Sequence, residues 1–229
     1  MIMKKLTIIP ARSGSKGVKN KNIKDLNGLP MMAWSIIHAK YYSSKEDAVV
    51  VSSDSDSYLD IAQKFGAIPH KRPQELSTDE CKTEPVMDDV IKNYKLSEND
   101  LIVLLQPTSP IRTKITLNKF IESFNNPDCD SALTLANYHG FLWEEKGNYK
   151  KPLYKERPRR QDMIPRYVET GSVYGTRYKN YLESSNRVSG KITGIIVDFE
   201  ESLEVDSEKE FEVIKTIFKN YMSDWKNDI

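Results

Sequence analysis

Five short apolar runs recur along the chain, each separated from the next by a stretch whose apolar residues follow a helical period, and this alternation restricts the fold more than any other feature. The runs are Leu6 to Pro10, Ala48 to Ser52, Leu101 to Leu105, Ser131 to Ala136 and Ile192 to Val197. Near-continuous apolar segments such as VVV and LIVLL predict strands covered on both faces, as in a parallel sheet. Helices are predicted at Pro30 to Tyr42, Ser55 to Phe65, Glu84 to Tyr94, Thr116 to Phe124 and Glu208 to Tyr221. In the last, Phe211, Ile214, Ile217, Phe218 and Tyr221 share one face. A βαβ pattern of this kind predicts an α/β architecture with a mostly parallel sheet.

Local signals refine the boundaries. Pro30 and Pro85 sit where a first-turn proline costs no hydrogen bond, Thr83 is placed to cap the helix that follows it, and Gly66 is placed to stop the second helix. From about Tyr138 to Arg187 the alternation fails, and aromatics, prolines and a basic KERPRRQ cluster predict an excursion from the sheet that serves dimerisation. The 229 residues fit a single domain carrying that excursion.

Bulk charge excludes several functions. Lysine and arginine (34) nearly cancel aspartate and glutamate (33), so no global positive field exists to hold nucleic acid or an anionic membrane. No run approaches the roughly 20 apolar residues of a spanning helix, and the four apolar residues between Lys5 and Arg12 fall short of a signal-peptide core. Cys81 and Cys129 are too few for a disulfide framework. A soluble cytoplasmic protein with reduced thiols is expected.

In open parallel sheets the ligand lies beyond the carboxyl ends of the strands, so the residues after each run carry the interest. After the first comes Ala11-Arg12-Ser13-Gly14-Ser15-Lys16-Gly17, then Lys19, Lys21 and Asn22. Small residues admit an anion to the backbone N–H groups while Arg12, Lys16 and Lys21 neutralise it, as in a triphosphate cradle. The segment has neither P-loop nor dinucleotide spacing, and its composition also describes a solvated basic turn. The third run ends in Gln106-Pro107-Thr108-Ser109-Pro110-Ile111-Arg112, where prolines preorient an amide, two hydroxyls and a guanidinium or simply turn the chain. Glu204 and Asp206, alternate residues of an extended segment, offer two hard oxygen ligands to Mg²⁺; acidic residues before a helix are equally caps, as is Ser207. Asp54 and Asp56 read as a turn with Asx caps rather than a carboxylate pair. His38, His70 and His139 have no partners at metal spacing, and no GxSxG elbow is present.

Taken in order, IIPARSGSKGVKNKNI, VSSDSDSYLDIAQKFGA, KRPQELSTDECKTEPV, LLQPTSPIR, RRQDMIPRYVETGSVY and LEVDSEKEF resemble the acylneuraminate cytidylyltransferase family, from residue 8 to about 211. The resemblance implies a three-layer α/β fold of nucleotidyltransferase (Rossmann-like) type, commonly a homodimer in which the excursion reaches the partner's site. It implies transfer of CMP from CTP to the anomeric hydroxyl of a sialic acid-like 2-keto sugar, with release of pyrophosphate. By the same resemblance Ala11, Arg12, Ser15, Lys16 and Lys21 line the triphosphate, with Arg12, Lys16 and Lys21 facing the reaction. Asn22 and Arg72 lie near cytosine and ribose, Thr83 lies beside the nucleotide, Gln106, Arg160 and Thr170 lie against the sugar, and Asp206 with Glu204 holds Mg²⁺. Glu204 stands where the family usually has aspartate, and Thr170 where it commonly has asparagine. An eight-carbon (Kdo-type) acceptor and a non-catalytic nucleotide-binding protein are the alternatives.

Overall fold

A computed structural model describes residues 3–14 and 17–229; Ser15 and Lys16 of the glycine-bearing turn lie outside the described residues. The elements are β1 (Lys5–Pro10), β2 (Asp25–Leu26), β3 (Leu29–Pro30), α1 (Met31–Tyr42), β4 (Ala48–Ser53), α2 (Asp56–Lys64), β5 (Ile68–Lys71), α3 (Thr83–Ile91), β6 (Leu101–Leu105) and α4 (Lys114–Ser123). They continue through β7 (Ser131–Tyr138), β8 (Trp143–Lys146), β9 (Tyr149–Pro152), β10 (Arg166–Arg177), α5 (Tyr178–Ser184), β11 (Ile192–Val197), α6 (Glu208–Phe218) and α7 (Met222–Trp225). Seven strands form one sheet in the order β11-β7-β10-β6-β1-β4-β5, while β2–β3 and β8–β9 are small hairpins.

Strand β1 sits between β4 and β6 and runs parallel to both. The alternation of side chains along these three strands feeds two cores. Ile9, Val49, Val51, Val103 and Leu105 pack with Trp34 of α1, Tyr58 of α2, Phe120 of α4 and Phe211 of α6. Leu6, Ile8, Val50, Ile102 and Leu104 pack on the opposite face with Met87 and Val90 of α3 and Tyr181 of α5. The three layers expected from the sequence are therefore present, and burial on both faces explains the unbroken apolar runs.

Three expectations need correction. The stretch 138–187 does not leave the sheet throughout: residues 166–177 form β10, which pairs antiparallel with both β6 and β7 and opposes the other strands. Its register shifts between Glu169 and Tyr174, around Gly171 at φ +69°, a bulge conformation that a side chain disfavours. Thr83 is the first residue of α3 rather than its cap, a position taken by Lys82, and Pro30 takes the cap position of α1 rather than its first turn, whereas Pro85, third in α3, lies in the first turn as expected. The terminal helix ends at Phe218, short of Tyr221. Gly66 does terminate α2, at φ +79° with its N–H on the Gln63 carbonyl, and Ser207 caps α6 by accepting from the Glu210 N–H.

Candidate functional site

The carboxyl ends of β1, β5 and β6 open into a cleft of about 440 Å³. Of the residues singled out by sequence, Arg12, Lys21, Asn22, Arg72, Thr83, Gln106, Glu204 and Asp206 all line it. They come from six separate parts of the chain.

The turn after β1 is held on two sides. The Ala11 N–H donates to the Ser52 carbonyl (2.9 Å), and the Ser13 N–H and hydroxyl donate to the Asp54 carboxylate (2.8 and 2.7 Å). Burial pushes the Asp54 carboxyl up, but these donations outweigh it and leave the group below the ordinary aspartate value. On the other side Lys21 Nζ donates to the Val205 carbonyl (2.7 Å) and lies 3.3 Å from Asp206 Oδ1. Gly17 completes this seam: a Cβ there would lie 2.0 Å from the Asp206 carbonyl oxygen. We expect Gly17→Ala to push the turn away from Asp206 and weaken nucleotide affinity at least tenfold, while the distant core keeps the melting temperature within a few degrees. Titration with CTP alongside thermal denaturation checks both outcomes.

The late acidic segment is docked on the turn after β6. The Val205 N–H donates to the Thr108 carbonyl (2.8 Å), and the Thr108 hydroxyl donates to Glu204 Oε1 (2.8 Å). Gly171 of the β10 bulge approaches the same carboxylate: a Cβ there would sit 3.3 Å from Glu204 Oε2. The turn itself hangs on Arg112, whose Nη2 donates to the Gln106 (2.6 Å) and Ser172 (3.0 Å) carbonyls.

At the cleft rim Asn22 is buried; its Nδ2 donates to the Arg12 carbonyl (3.0 Å), and its Oδ1 has no partner among the described residues. Arg72 is also buried, donating from Nε to the Ser52 hydroxyl (3.1 Å) and from Nη2 to the Ser52 carbonyl (2.6 Å). Arg12 forms an ion pair with Asp79 (2.6 Å), both half-exposed at the cleft. With Lys82 beside them, the rim is mainly cationic, whereas the floor near Glu204 and Asp206 is anionic. Such an arrangement suits a polyanion that arrives with a divalent ion.

Three predicted residues lie outside this lining. Ala11 is buried beneath the turn. Thr170 is buried between β7 and β10, where its hydroxyl shares a hydrogen bond with that of Thr134 (2.6 Å), so its side chain is spent inside the sheet. Arg160 is exposed in the 160–162 turn of the excursion and does not line the cleft of its own chain. Conversely, sequence reasoning passed over Asp54 as a turn residue and did not single out Asp79, Thr108 or Gly17. Each acts through a long-range contact that no local spacing signals.

The model of a family described as cytidylyltransferase matches residues 6–180. The post-translational flagellin modification protein B of Campylobacter coli is 32% identical over 224 residues, 93% of this chain and 94% of that protein. The N-acylneuraminate cytidylyltransferases of Streptococcus agalactiae serotype III and Escherichia coli O18:K1:H7 are 31% and 30% identical over 96% and 95% of this chain. The chain spans about half the length of these two relatives, 54% and 52%. Among solved structures, a CMP:2-keto-3-deoxy-manno-octonic acid synthetase complexed with CTP superposes with a TM-score of 0.68 at 15% identity, covering 95% of this chain and 99% of that one. A 4-diphosphocytidyl-2C-methyl-D-erythritol synthase gives 0.67 at 11% identity over the same shares. At these identities the two structures establish the fold.

Proposed function

We propose that this chain, which belongs to the cytidylyltransferase family, transfers CMP from CTP to the anomeric hydroxyl of a sialic acid-like 2-keto acid sugar and releases pyrophosphate. The observation that carries the reading is the meeting of the turn after β1 with the carboxylates before α6. Lys21 and Asp206, 185 residues apart, share one cleft with Arg12 and Arg72. The names of the relatives add support for the nine-carbon class of acceptor.

In this reading the acceptor hydroxyl attacks the α-phosphorus in line with the departing pyrophosphate, and the chain contributes positioning and charge neutralisation. Arg12, Lys16 and Lys21 neutralise the triphosphate, which Ser15 helps to hold. Asn22 offers its unpartnered Oδ1 to the exocyclic amine of cytosine, Arg72 and Thr83 border the nucleoside, and Gln106 faces the sugar. Glu204 and Asp206 fit a Mg²⁺ ion bound jointly with substrate phosphates, since that ion takes one or two carboxylates rather than an all-protein cage. Among the described residues no group of three or more His, Cys, Asp or Glu is gathered for a metal, which agrees with such sharing. When bound, the ion would offset charge on the phosphate oxygens.

A homodimer accounts for Arg160, which in this reading serves the sugar site of a partner subunit. Large apolar side chains are exposed in and beside the excursion, among them Trp143 (54%) and Ile164 (79%), and a partner surface would cover them. Among the described residues no helix is long and apolar enough to cross a membrane, and the even charge balance favours small anionic substrates over nucleic acid. A cytoplasmic site of action follows from the use of CTP.

An eight-carbon acid is the second reading, favoured by Thr170: with its hydroxyl committed to Thr134, it presents no amide to an acylamino sugar. Pyrophosphate release from CTP, followed across a panel of nine- and eight-carbon keto acids, separates the two. We expect kcat/KM for a nine-carbon acid to exceed that for Kdo by about tenfold or more. The reverse order assigns the eight-carbon class, and tight CTP binding without turnover on any acceptor would overturn the catalytic reading.

A further inference from the structure

We infer that His70 is a positioning residue for Arg72, acting through Ser52 and anchored by the carboxylate of Asp89. The inference rests on the proposed use of CTP and deepens it, because Arg72 is the most deeply buried cation lining the cleft.

The four groups form a chain whose hydrogen-bond directions are set at its two ends, by a donor-only guanidinium and an acceptor-only carboxylate. Arg72 has only donors, and its Nε–H points at Ser52 Oγ (3.1 Å). Ser52 is fully buried, and the other partner within reach of its hydroxyl is His70 Nδ1 at 3.2 Å. A serine oxygen can accept twice as well as donate once, so the direction of this contact is set on the far side of the ring. There Nε2 faces Asp89 Oδ2 at 3.4 Å, a carboxylate oxygen that can only accept, so the neutral ring carries its proton on Nε2 and the Ser52 hydroxyl donates to Nδ1. Asp89 is buried on α3; its Oδ1 is held by Lys92, while among the described residues Oδ2 has no hydrogen-bond partner of its own. A buried carboxylate oxygen of this kind is costly unless something faces it, and the His70 N–H does so.

The charged groups around the ring are Asp89 and Lys92 on α3 and Arg72 at the end of its own strand. Burial, together with Lys92 and Arg72, lowers the imidazole against the opposing pull of Asp89, so the ring is neutral at pH 7 and free to accept at Nδ1. Ser52 and His70 are register partners on β4 and β5, and Arg72 follows His70 by two residues on the same side of the strand end. Three of the five Arg72 N–H groups are left for the cleft. Among the described residues no hydrogen bond from Nη1 is found. The relay thus fixes the plane of the guanidinium while leaving its outer edge to a ligand.

Calorimetric titration of the full chain with CTP and Mg²⁺ tests this without requiring turnover. We expect His70→Phe to weaken CTP binding about tenfold, because the Ser52 hydroxyl loses its acceptor and competes for other partners. His70→Asn, whose amide oxygen can stand where Nδ1 does, should stay within about threefold of wild type. Arg72→Lys should weaken binding by itself, and adding His70→Phe to it should change the affinity by less than about twofold, since the relay then has nothing to orient. Additive losses in the double variant, or an unchanged affinity in His70→Phe, overturn the relay and leave the CTP reading standing. A wild-type chain that binds no CTP overturns the reading and the relay together.

Discussion

Replacing Arg12 by alanine is expected to lower kcat at least tenfold, and by on the order of a hundredfold if the guanidinium faces charge that develops on the pentacoordinate phosphorus or on the leaving group. Arg12 follows β1 directly, on a turn tied to Asp54 on one side and to the 205–206 segment on the other, so its position is set by β1 and by two long-range contacts. The fold has little stake in its side chain. Among the described residues its ion pair is with Asp79 and joins two groups each about a third exposed, and such pairs contribute about 0–1 kcal/mol. The melting temperature should therefore stay within a few degrees of wild type while turnover collapses. Pyrophosphate release at saturating substrates, measured beside thermal denaturation, checks both halves. Turnover within twofold of wild type would remove Arg12 from the phosphate site.

Arg112 presents the opposite case, in which stability carries the effect. Its guanidinium is almost wholly inaccessible and, among the described residues, forms no salt bridge. It is held by neutral acceptors: the Gln106 and Ser172 carbonyls, the Ser35 hydroxyl (3.1 Å) and His38 Nδ1 (3.3 Å). Burial brings the group down to about 10, partly countered by Tyr42 and Glu201, so it remains a cation at neutral pH. Among the described residues its Nε has no partner. Arg112→Leu would take one of two donors from each of two buried carbonyls, Gln106 keeping the Ser109 N–H (3.2 Å) and Ser172 the Gln106 N–H (3.2 Å), and would leave the Ser35 hydroxyl and His38 Nδ1 facing an apolar side chain, at a cost of about 3–5 kcal/mol. For a chain of this size that corresponds to a fall of roughly 6–20 °C in melting temperature. Arg112→Lys should recover little, because an ammonium cannot span the two carbonyls and the Ser35 and His38 acceptors at once. Thermal denaturation decides: a fall of under about 3 °C for the leucine variant would mean that the remaining backbone donors satisfy the carbonyls and that Arg112 adds little.

The two residues also mark what is local and what is not. Arg12 was legible because a cation beside glycines after an apolar run has a local signature. Arg112 stood in a readable segment, but its role depends on Ser35, His38 and Ser172, which lie 60 or more residues away in the chain. Strand β10 was missed for a related reason. RYVETGSVYGTR mixes charge, glycine and threonine, and only its place between β6 and β7, with a bulge at Gly171, makes it a central strand. Strand β5 was missed because Pro69 suits an edge position and leaves no apolar run to see.

By itself the sequence determined the layered α/β class, since strands buried on both faces must be apolar throughout and helices flanking them must carry a periodic stripe. It also determined which turns bear cations, amides and carboxylates. Only the tertiary structure decided that Lys21 meets Asp206, that Asp54 and Thr108 hold the groups facing the cleft, that Thr170 turns into the sheet and that Arg160 lies outside the lining of its own cleft. The reason is physical: residue type and period act over a few positions, whereas a site built at strand ends takes its geometry from the order and register in which distant strands pair.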